Sequence, residues 1–524
     1  ITASMLLFGG LHGLGDTAVG WRFGNVVVGA LTVGLIYVFA KRLTASTLFA
    51  SLAAMMLALD GFHYTQSRIA TPEITVAFFS LLTLYAFYRL WVGTQIARRV
   101  PLRSRAGAVA FGVTMALGVL AAAGAWYAAP LLGPIKNGPD IIPAARVVLA
   151  LWVLVLFWLA GRVLVVPRVA RGTETSYPDG TRVLDAPPRV VTPQDEELAL
   201  NARTKPLKSR DGDLTRTVDA DGTLTYATPV ATATYRADGT AAVGATAFRA
   251  RDARVWWVAL ALSAALLADS KWNGLFDIGV VWAIAAAVGA QRWLRRPALY
   301  GNPFGAPADV VVAAIVVAGG LVYMASYIPY FALGHGFVDV IGMQQQMYHY
   351  HANLVATHPY ASAWWQWPLL DKPILYYAHY THVVTAHGEC CTSTIRALPN
   401  PLVWWSGLVS VPAVAWLAWR ERNKGYALLV VAYLFQWLPW IRSPRLAFEY
   451  HFYPNLAIII LANAVVLQHF WNWGRERGDV RARYAVAVYA ALVVGAFVYF
   501  FPLVSGWPIT SDAFNARIWN PHWI

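Results

Sequence analysis

The side chains in this sequence that could do chemistry are concentrated in a few short polar segments between long apolar runs. The first segment, Asp60 to Glu73, contains an aspartate, a histidine, an arginine and a glutamate. Ionisable groups beside apolar segments are costly unless they are paired or hydrated, so Asp60, Arg68 and Glu73 are candidates for function. In an alternative interpretation Arg68 only extends towards water and pairs with Glu73.

The second segment, residues 343–368, combines histidines with tryptophans. His349 and His351 stand two positions apart and could bind a metal, but no cysteine or carboxylate lies at a matching spacing. Imidazoles that face a phosphate are therefore the favoured interpretation, and no metal is expected. The tryptophans up to Trp367 are typical of an aromatic belt at a membrane interface. Aromatic rings also stack on sugars, so a second role of these tryptophans in lining a substrate groove remains an alternative.

The remaining candidates are cations and one imidazole on the same predicted side. They are Arg22, Lys271, Arg442, Arg445 and His451. Such a group suits a phosphate or diphosphate, because arginine offers two parallel donors and lysine a compact charge. The alternative interpretation makes the arginines interfacial anchors that pair with Glu449.

Composition limits the class of protein. Of the 524 residues, 58% are hydrophobic and 13% are charged, whereas a soluble chain carries roughly 25% charged residues. The net charge of +14 would suit nucleic acid, but the arginines cluster in short loops beside apolar runs, as cytoplasmic loops of membrane proteins do. A lipid bilayer is therefore the expected partner, and nucleic acid is not. Cys390 and Cys391 give no metal-ligand spacing or disulfide framework and are predicted to lie in a loop.

Twelve segments are candidates for membrane helices, which need roughly 20 residues. They are approximately residues 23–40, 46–59, 74–91, 107–132, 142–166, 255–268, 276–290, 309–331, 403–419, 426–440, 452–470 and 484–501. Basic residues gather in alternate loops, which predicts that the loops after Arg98, Arg292, Arg420 and Arg475 face the cytoplasm. The polar segments described above would then face outward.

A polar insert interrupts the apolar pattern. An Asp-Gly turn signal occurs in it three times, at Tyr177–Thr181, Asp219–Thr223 and Arg236–Thr240. This pattern predicts hairpins, so we expect a small β-rich cytoplasmic insert or a partly disordered loop that serves as a spacer or docking module. The chain thus divides into an N-terminal transmembrane part (1–166), the insert (167–252), transmembrane helices (253–333), an external loop region (334–402) and a C-terminal transmembrane part (403–524).

Outside the insert, a series of short motifs follows in a fixed order. They are Gly20-Trp-Arg22, Leu59-Asp60-Gly61, Gln66-Ser-Arg68, Ser270–Gly274, Met347–His351, His358–Tyr360, Trp365–Pro368, Pro401–Trp405 and Tyr450–Phe452. This series resembles consecutive landmarks of the protein O-mannosyltransferases, and it is most similar to their bacterial branch. The resemblance covers nearly the whole chain except the insert.

The resemblance implies an all-α, multi-spanning type C glycosyltransferase fold in the cell membrane. It also implies an inverting transfer of mannose, on the external face, from a polyprenyl-phosphate carrier to Ser or Thr hydroxyls of exported proteins, without a cofactor. The family's acidic pair would precede Ile1, so we expect that the chain lacks its start and that the catalytic base lies upstream. There are two alternatives. The first is a related transferase that acts on a lipid or glycan acceptor, and the less favoured one is a transporter.

Under this hypothesis the cations and imidazoles contact the phosphate of the donor, because negative charge grows there as the sugar leaves. The phosphate-contacting residues would be Arg22, Arg68, Lys271, His349, His351, Arg442, Arg445 and His451. The nearest external carboxylates, Asp60 and Glu73, are expected to orient an arginine and not to act as the base.

Overall fold

The structure is a computed structural model of the chain. It describes residues 17–92, 96–100, 105–129, 142–162, the strands between 172 and 245, 251–293, 308–385, 388–421, 423–443 and 445–523. Residues 294–307, where the predicted cytoplasmic loop after Arg292 falls, lie outside the described residues.

The described residues form sixteen α-helices. They are α1 (Ala18–Thr44), α2 (Thr47–Ala58), α3 (Gly61–Gln66), α4 (Glu73–Val92), α5 (Arg105–Ala128), α6 (Ile142–Ala160), α7 (Arg251–Ser270), α8 (Leu275–Trp293), α9 (Ala308–Ser326), α10 (Ile328–Ala332), α11 (Phe337–Asn353), α12 (Pro401–Glu421), α13 (Lys424–Trp437), α14 (Pro454–Glu476), α15 (Arg481–Ser505) and α16 (Ser511–Asn515).

Each of the twelve predicted segments coincides with one of these helices, because long apolar runs leave the backbone few other ways to satisfy its hydrogen bonds in lipid. Seven helices, α1, α4, α5, α6, α12, α14 and α15, are long and apolar enough to cross a membrane. The expectation of a mainly helical, multi-pass membrane protein is confirmed. The expectation of twelve full spans is too high for the described residues by this criterion, since α2, α7, α8 and α9 are shorter apolar helices and α13 has only 14 residues.

The chain folds as two compact units, and the first contains every candidate residue from the sequence. It comprises Ile1–Tyr85, Ser270–Val280 and His349–Ile524. Helix α14 is its core: all residues from Pro454 to Val465 are buried, and the helix packs against α2, α12, α13 and α15. A helix that is apolar on all sides is expected to be buried in this way.

A small antiparallel sheet lies in the region predicted as an external loop. Strand β9 (Leu375–Thr385) pairs with β10 (Gly388–Arg396), and β10 pairs with β11 (Ile509–Thr510). Among the described strands, the order β11-β10-β9 makes β9 an edge. Cys391 lies in β10 and is disulfide-bonded, so the expectation of a loop cysteine without a disulfide is wrong for this residue.

The second unit, Ala86–Asp269 and Val281–Tyr348, contains the insert. Its strands form a three-stranded and a five-stranded antiparallel sheet. The strands are β1 (Ile96–Val100), β2 (Gly172–Ser176), β3 (Arg182–Asp185), β4 (Leu207–Lys208), β5 (Thr215–Val218), β6 (Leu224–Thr228), β7 (Ala231–Tyr235) and β8 (Ala241–Ala245). Each Asp-Gly segment joins two neighbouring antiparallel strands, so the hairpin prediction is confirmed. The pairing of β1 with β2 was not predicted.

Candidate functional site

An ion pair forms the centre of the candidate site. Lys271 Nζ lies 2.7 Å from Glu73 Oε1, and the ammonium lies 4.9 Å from the centroid of the Tyr450 ring. Glu73 is the first residue of α4, where the helix dipole favours a carboxylate. The side chain of Lys271 is 26% exposed and that of Glu73 is 10% exposed, so the lysine remains accessible to a ligand. Glu73 therefore orients a lysine and not an arginine.

A second cation, Arg445, approaches the same place. Its Nη1 lies 3.2 Å from Nδ1 of His351. Burial lowers the pKa of His351 and of His451, and the positive charges of Arg445 and Lys271 lower both further. The two imidazoles are therefore neutral at neutral pH and contribute hydrogen-bonding groups without charge. In the described part of the chain Arg445 has no carboxylate partner, so its charge is available to an anion.

A tight turn presents the ring of His451 to this site. Residues Glu449–Phe452 form a 3-10 turn, and Nδ1 of His451 accepts the backbone N–H of Phe448 at 3.1 Å. The imidazole is buried against Trp440, with ring centroids 4.3 Å apart, and against Tyr450 at 4.4 Å. The Tyr450 ring therefore contacts both the Lys271 ammonium and the His451 imidazole.

Tryptophan side chains fix the segment beneath the turn. The 3-10 turn Trp364–Leu369 and the residue that follows it, Leu370, offer carbonyls that accept indole N–H groups from other elements. The pairs are Trp404 to Trp367 (2.9 Å), Trp405 to Leu369 (3.0 Å), Trp437 to Trp364 (2.8 Å) and Trp523 to Leu370 (2.8 Å). Trp367 is 1% exposed, so the expectation of an aromatic belt is wrong for this residue. It packs inside the protein, where its indole N–H donates to the Ser362 hydroxyl.

Glu449 is a buried acid without a partner. It is 1% exposed, and neither carboxyl oxygen has a hydrogen-bond partner among the described residues. Burial raises its pKa well above the ordinary value, and the neighbouring Asp371 and Asp60 raise it further. Glu449 therefore does not pair with Arg442 or Arg445, and the alternative interpretation of these arginines as anchors paired with Glu449 is wrong.

The carboxylate of Asp60 holds backbone amides in place. One carboxyl oxygen accepts the N–H groups of Phe62 and His63 at 2.9 and 3.0 Å, which caps α3. The other accepts the N–H of Asn400 at 2.8 Å and fastens α3 to the residue before α12. Burial raises the pKa of Asp60 to about 7, against these hydrogen bonds, which lower it. Asp60 thus orients backbone amides, and the expectation that it orients an arginine is wrong.

For the other predicted cations, no contact with the ion pair is seen among the described residues. Arg68 is exposed; its guanidinium bonds the Tyr64 hydroxyl and lies 4.6 Å from that ring's centroid. The suggested pairing of Arg68 with Glu73 is therefore wrong, because Lys271 takes that place. Arg22 and Arg442 are exposed, and neither has an ion pair with another described residue. The side chain of His349 is also exposed.

The sequence analysis did not identify three further side chains at the site, which are Gln66, Tyr376 and Tyr450. Tyr450 contacts Lys271, and the Tyr376 hydroxyl accepts Nε2 of Gln66 at 2.9 Å. Burial raises the pKa of Tyr376, and the nearby Glu73 and Tyr450 add to the rise. Gln66 and Tyr450 both stand inside family-like motifs, so the motifs could have indicated them. Tyr376 lies in β9, where no motif pointed to it.

Two regions of the chain match family descriptions. Residues 10–131 match dolichyl-phosphate-mannose-protein mannosyltransferase, and residues 336–523 match the C-terminal four TMM region of protein-O-mannosyltransferase. Glu73 falls in the first region, whereas His351, Arg445 and His451 fall in the second. The catalytic base stays a prediction, because the described residues begin at position 17.

The curated relatives are also named as protein mannosyltransferases. The polyprenol-phosphate-mannose–protein mannosyltransferase of Mycobacterium tuberculosis is 27% identical over 317 residues, which cover 51% of this chain and 57% of the relative. That of Corynebacterium glutamicum is 26% identical over 308 residues, covering 51% and 58%. The chain thus spans a little over half the length of these relatives. A solved Saccharomyces cerevisiae protein O-mannosyltransferase Pmt1-Pmt2 complex bound to the sugar donor is 14% identical, with a TM-score of 0.43 and coverage of 97% of this chain and 81% of that chain.

Proposed function

The chain belongs to the protein O-mannosyltransferase family, and from this premise we propose that it transfers mannose from a polyprenyl-phosphate carrier to Ser or Thr hydroxyls of exported proteins. Lys271 and Arg445 bind the phosphate of the donor. The neutral imidazole of His351 completes the polar lining, and the buried ring of His451 supports Tyr450 from behind. The transfer takes place on the external face and inverts the anomeric carbon.

The observation that carries this proposal is the uncompensated charge of Arg445 beside the Lys271–Glu73 pair. Glu73 holds Lys271 in place and cancels one positive charge, whereas Arg445 touches only neutral groups among the described residues. The group of these three side chains therefore keeps a net positive charge. A phosphate on a lipid chain has the complementary chemistry, since its head is an anion and its tail needs a hydrophobic surface.

The chemistry follows from where charge develops. When the acceptor hydroxyl attacks C1 of the sugar, the glycosidic C–O bond breaks and its electron pair passes to the phosphate oxygen. Donors already in place stabilise that charge more than water would, because they need no reorganisation. Arg445 can grip two phosphate oxygens at once, and Lys271 supplies a point charge. The proton of the acceptor hydroxyl goes to a carboxylate base.

The test uses membranes containing the protein, labelled polyprenyl-phosphate-mannose and two acceptors. We expect label on a Ser/Thr-containing peptide and none on a matched peptide with alanine at those positions. A polyprenyl or glycolipid acceptor should stay unlabelled. Label on the lipid acceptor alone would contradict the proposed acceptor class and favour a lipid-directed transferase.

A further inference from the structure

We propose that the acceptor polypeptide binds as an added β-strand along the outer edge of β9. This inference rests on the proposed transfer to proteins and specifies how the acceptor is held. Strand β9 has 11 residues, and in the described part of the chain it pairs only with β10. A long unpaired edge offers a row of backbone donors and acceptors, which natural proteins normally cover or interrupt.

The sheet register shows which β9 residues face outward. The Thr394 carbonyl accepts the N–H of Gly506 at 3.0 Å, on the β11 side of the sheet. In an antiparallel ladder the N–H and C=O of one residue point to the same side, so the backbone groups of Thr394 point away from β9. Its partner Ala378 then points its own groups away from β10. The register is unbroken from Ala378 to Tyr380, so the backbone N–H and C=O of Tyr380 also point away from β10.

This edge begins at the candidate site. Tyr376, the second residue of β9, bonds Gln66 and lies near Glu73 and Tyr450. A strand added beside Ala378 would therefore place one of its side chains within reach of the site where the sugar leaves its phosphate. The exposed rings of Tyr377 and Tyr380, 48% and 59% exposed, flank the same edge and offer apolar surface to side chains of the added strand.

The chemistry of an extended polypeptide fits this surface. Strand addition binds a partner through its main chain and leaves alternate side chains free. That mode accepts many sequences around one Ser or Thr, which a transferase for diverse exported proteins needs. It also requires the acceptor to be unfolded or a flexible loop.

The first experiment replaces Ala378 with proline. Proline removes one outward N–H and is tolerated on edge strands when that N–H faces solvent. We expect KM for the peptide to rise at least tenfold, while KM for the lipid-linked sugar stays unchanged. The matched control is Ala378→Val, which keeps the N–H and should leave both constants near those of the unaltered protein. An unchanged peptide KM in Ala378→Pro would overturn the proposal.

A second measurement leaves the protein unaltered. Acceptor peptides are N-methylated at one residue at a time, on either side of the Ser or Thr. Strand pairing predicts alternation: methylation lowers transfer at every second residue and is tolerated between them. Equal loss at all positions, or none at any, would overturn strand addition even if Ala378→Pro fails to fold. Absence of transfer with the unmodified peptide would instead count against the proposed function.

Discussion

At the scale of single residues, the two cations of the site differ in what surrounds them. Lys271 is paired with Glu73, whereas Arg445 contacts a neutral imidazole and a backbone carbonyl. Under the proposed function, Arg445 would contribute the net positive charge that attracts the lipid-linked sugar, and Lys271 would contribute an ammonium held in a fixed position. An ammonium at position 445 would retain the charge and lose the two-point grip of a guanidinium.

Glu449→Gln should stabilise the protein above the ordinary pKa of glutamate. Because burial raises the folded-state pKa, the folded state binds the proton more tightly, and the free energy of unfolding falls as pH rises from the unfolded pKa of about 4.3 towards the folded value. We expect the variant to melt about 2 °C or more above the unaltered protein at pH 8. The difference should shrink towards pH 4.

The matched control for this prediction is Glu476→Gln, which changes an exposed glutamate and should leave the melting temperature nearly unchanged at both pH values. Detergent-solubilised protein and a thermal unfolding curve suffice for the comparison. A Glu449→Gln variant that melts below the unaltered protein at pH 8 would show that the carboxylate has a partner that stabilises its charged form.

Of the residues singled out in the sequence, the structure brings some together and leaves others without a contact to them. Lys271, Arg445 and His451 were singled out because charged and polar groups beside apolar sequence are conspicuous, and their roles stay predictions. Whether a cation joins the site depends on its neighbours in space, and Tyr64 engages Arg68 locally. The buried state of Glu449 could not be predicted either, since the same residue type is usually exposed.

At the scale of elements, α3 is held by a close approach of backbone. A Cβ added at Gly61 would collide with the Leu398 carbonyl oxygen and lie 2.9 Å from Val504 Cγ1. Since Asp60 fixes the same turn to Asn400, the helix cannot move aside freely. Residue 61 therefore has to be glycine for α3 to present Gln66 to Tyr376.

Gly61→Ala should destabilise the protein by roughly 1–3 kcal/mol, as overpacking typically does. Gly34→Ala is the control, because nothing lies within 4 Å of a Cβ there and alanine favours the helix that contains it by up to about 1 kcal/mol. Thermal unfolding of both variants gives the comparison. Equal stability of the two variants would contradict the close packing of α3.

Helices and hairpins were predictable to different degrees. The apolar helices follow from composition, and the three Asp-Gly turns marked hairpins in the insert. The β9–β10 hairpin was missed because no such turn signal stands near residues 386–387 and its strands mix polar with aromatic residues. The 3-10 turn at Trp364 was missed because its bonds come from tryptophans distant in the sequence.

At the scale of the whole molecule, the predicted topology has a direct test. Val355, which is 98% exposed, should face outward. Glu476 lies beside the loop after α14 and should face the cytoplasm, because that loop is rich in arginine. A membrane-impermeant maleimide applied to intact cells should label Val355→Cys and not Glu476→Cys. Permeabilised cells should show both labels. The reverse pattern would invert the topology.

The insert should be dispensable for transfer. Deleting residues 207–245, which contain β4 to β8, leaves β1 to β3 paired, and no metal-binding group of His, Cys, Asp or Glu occurs among the described residues. We expect mannosyl transfer to stay within about twofold of the unaltered protein, since the site residues lie in the other unit. A deletion variant that inserts and folds normally but transfers no sugar would refute this.

The most direct test of the account compares two arginines three positions apart. Arg445→Gln and Arg442→Gln remove the same charge from the same loop, but only Arg445 contacts the imidazole of the site. Binding of polyprenyl phosphate to the purified protein is measured by displacement of a photoreactive analogue. We expect Arg445→Gln to weaken binding of polyprenyl phosphate at least tenfold and Arg442→Gln to leave it within about twofold. Equal loss in both variants, or loss in Arg442→Gln alone, would contradict the assignment of the phosphate to Lys271 and Arg445.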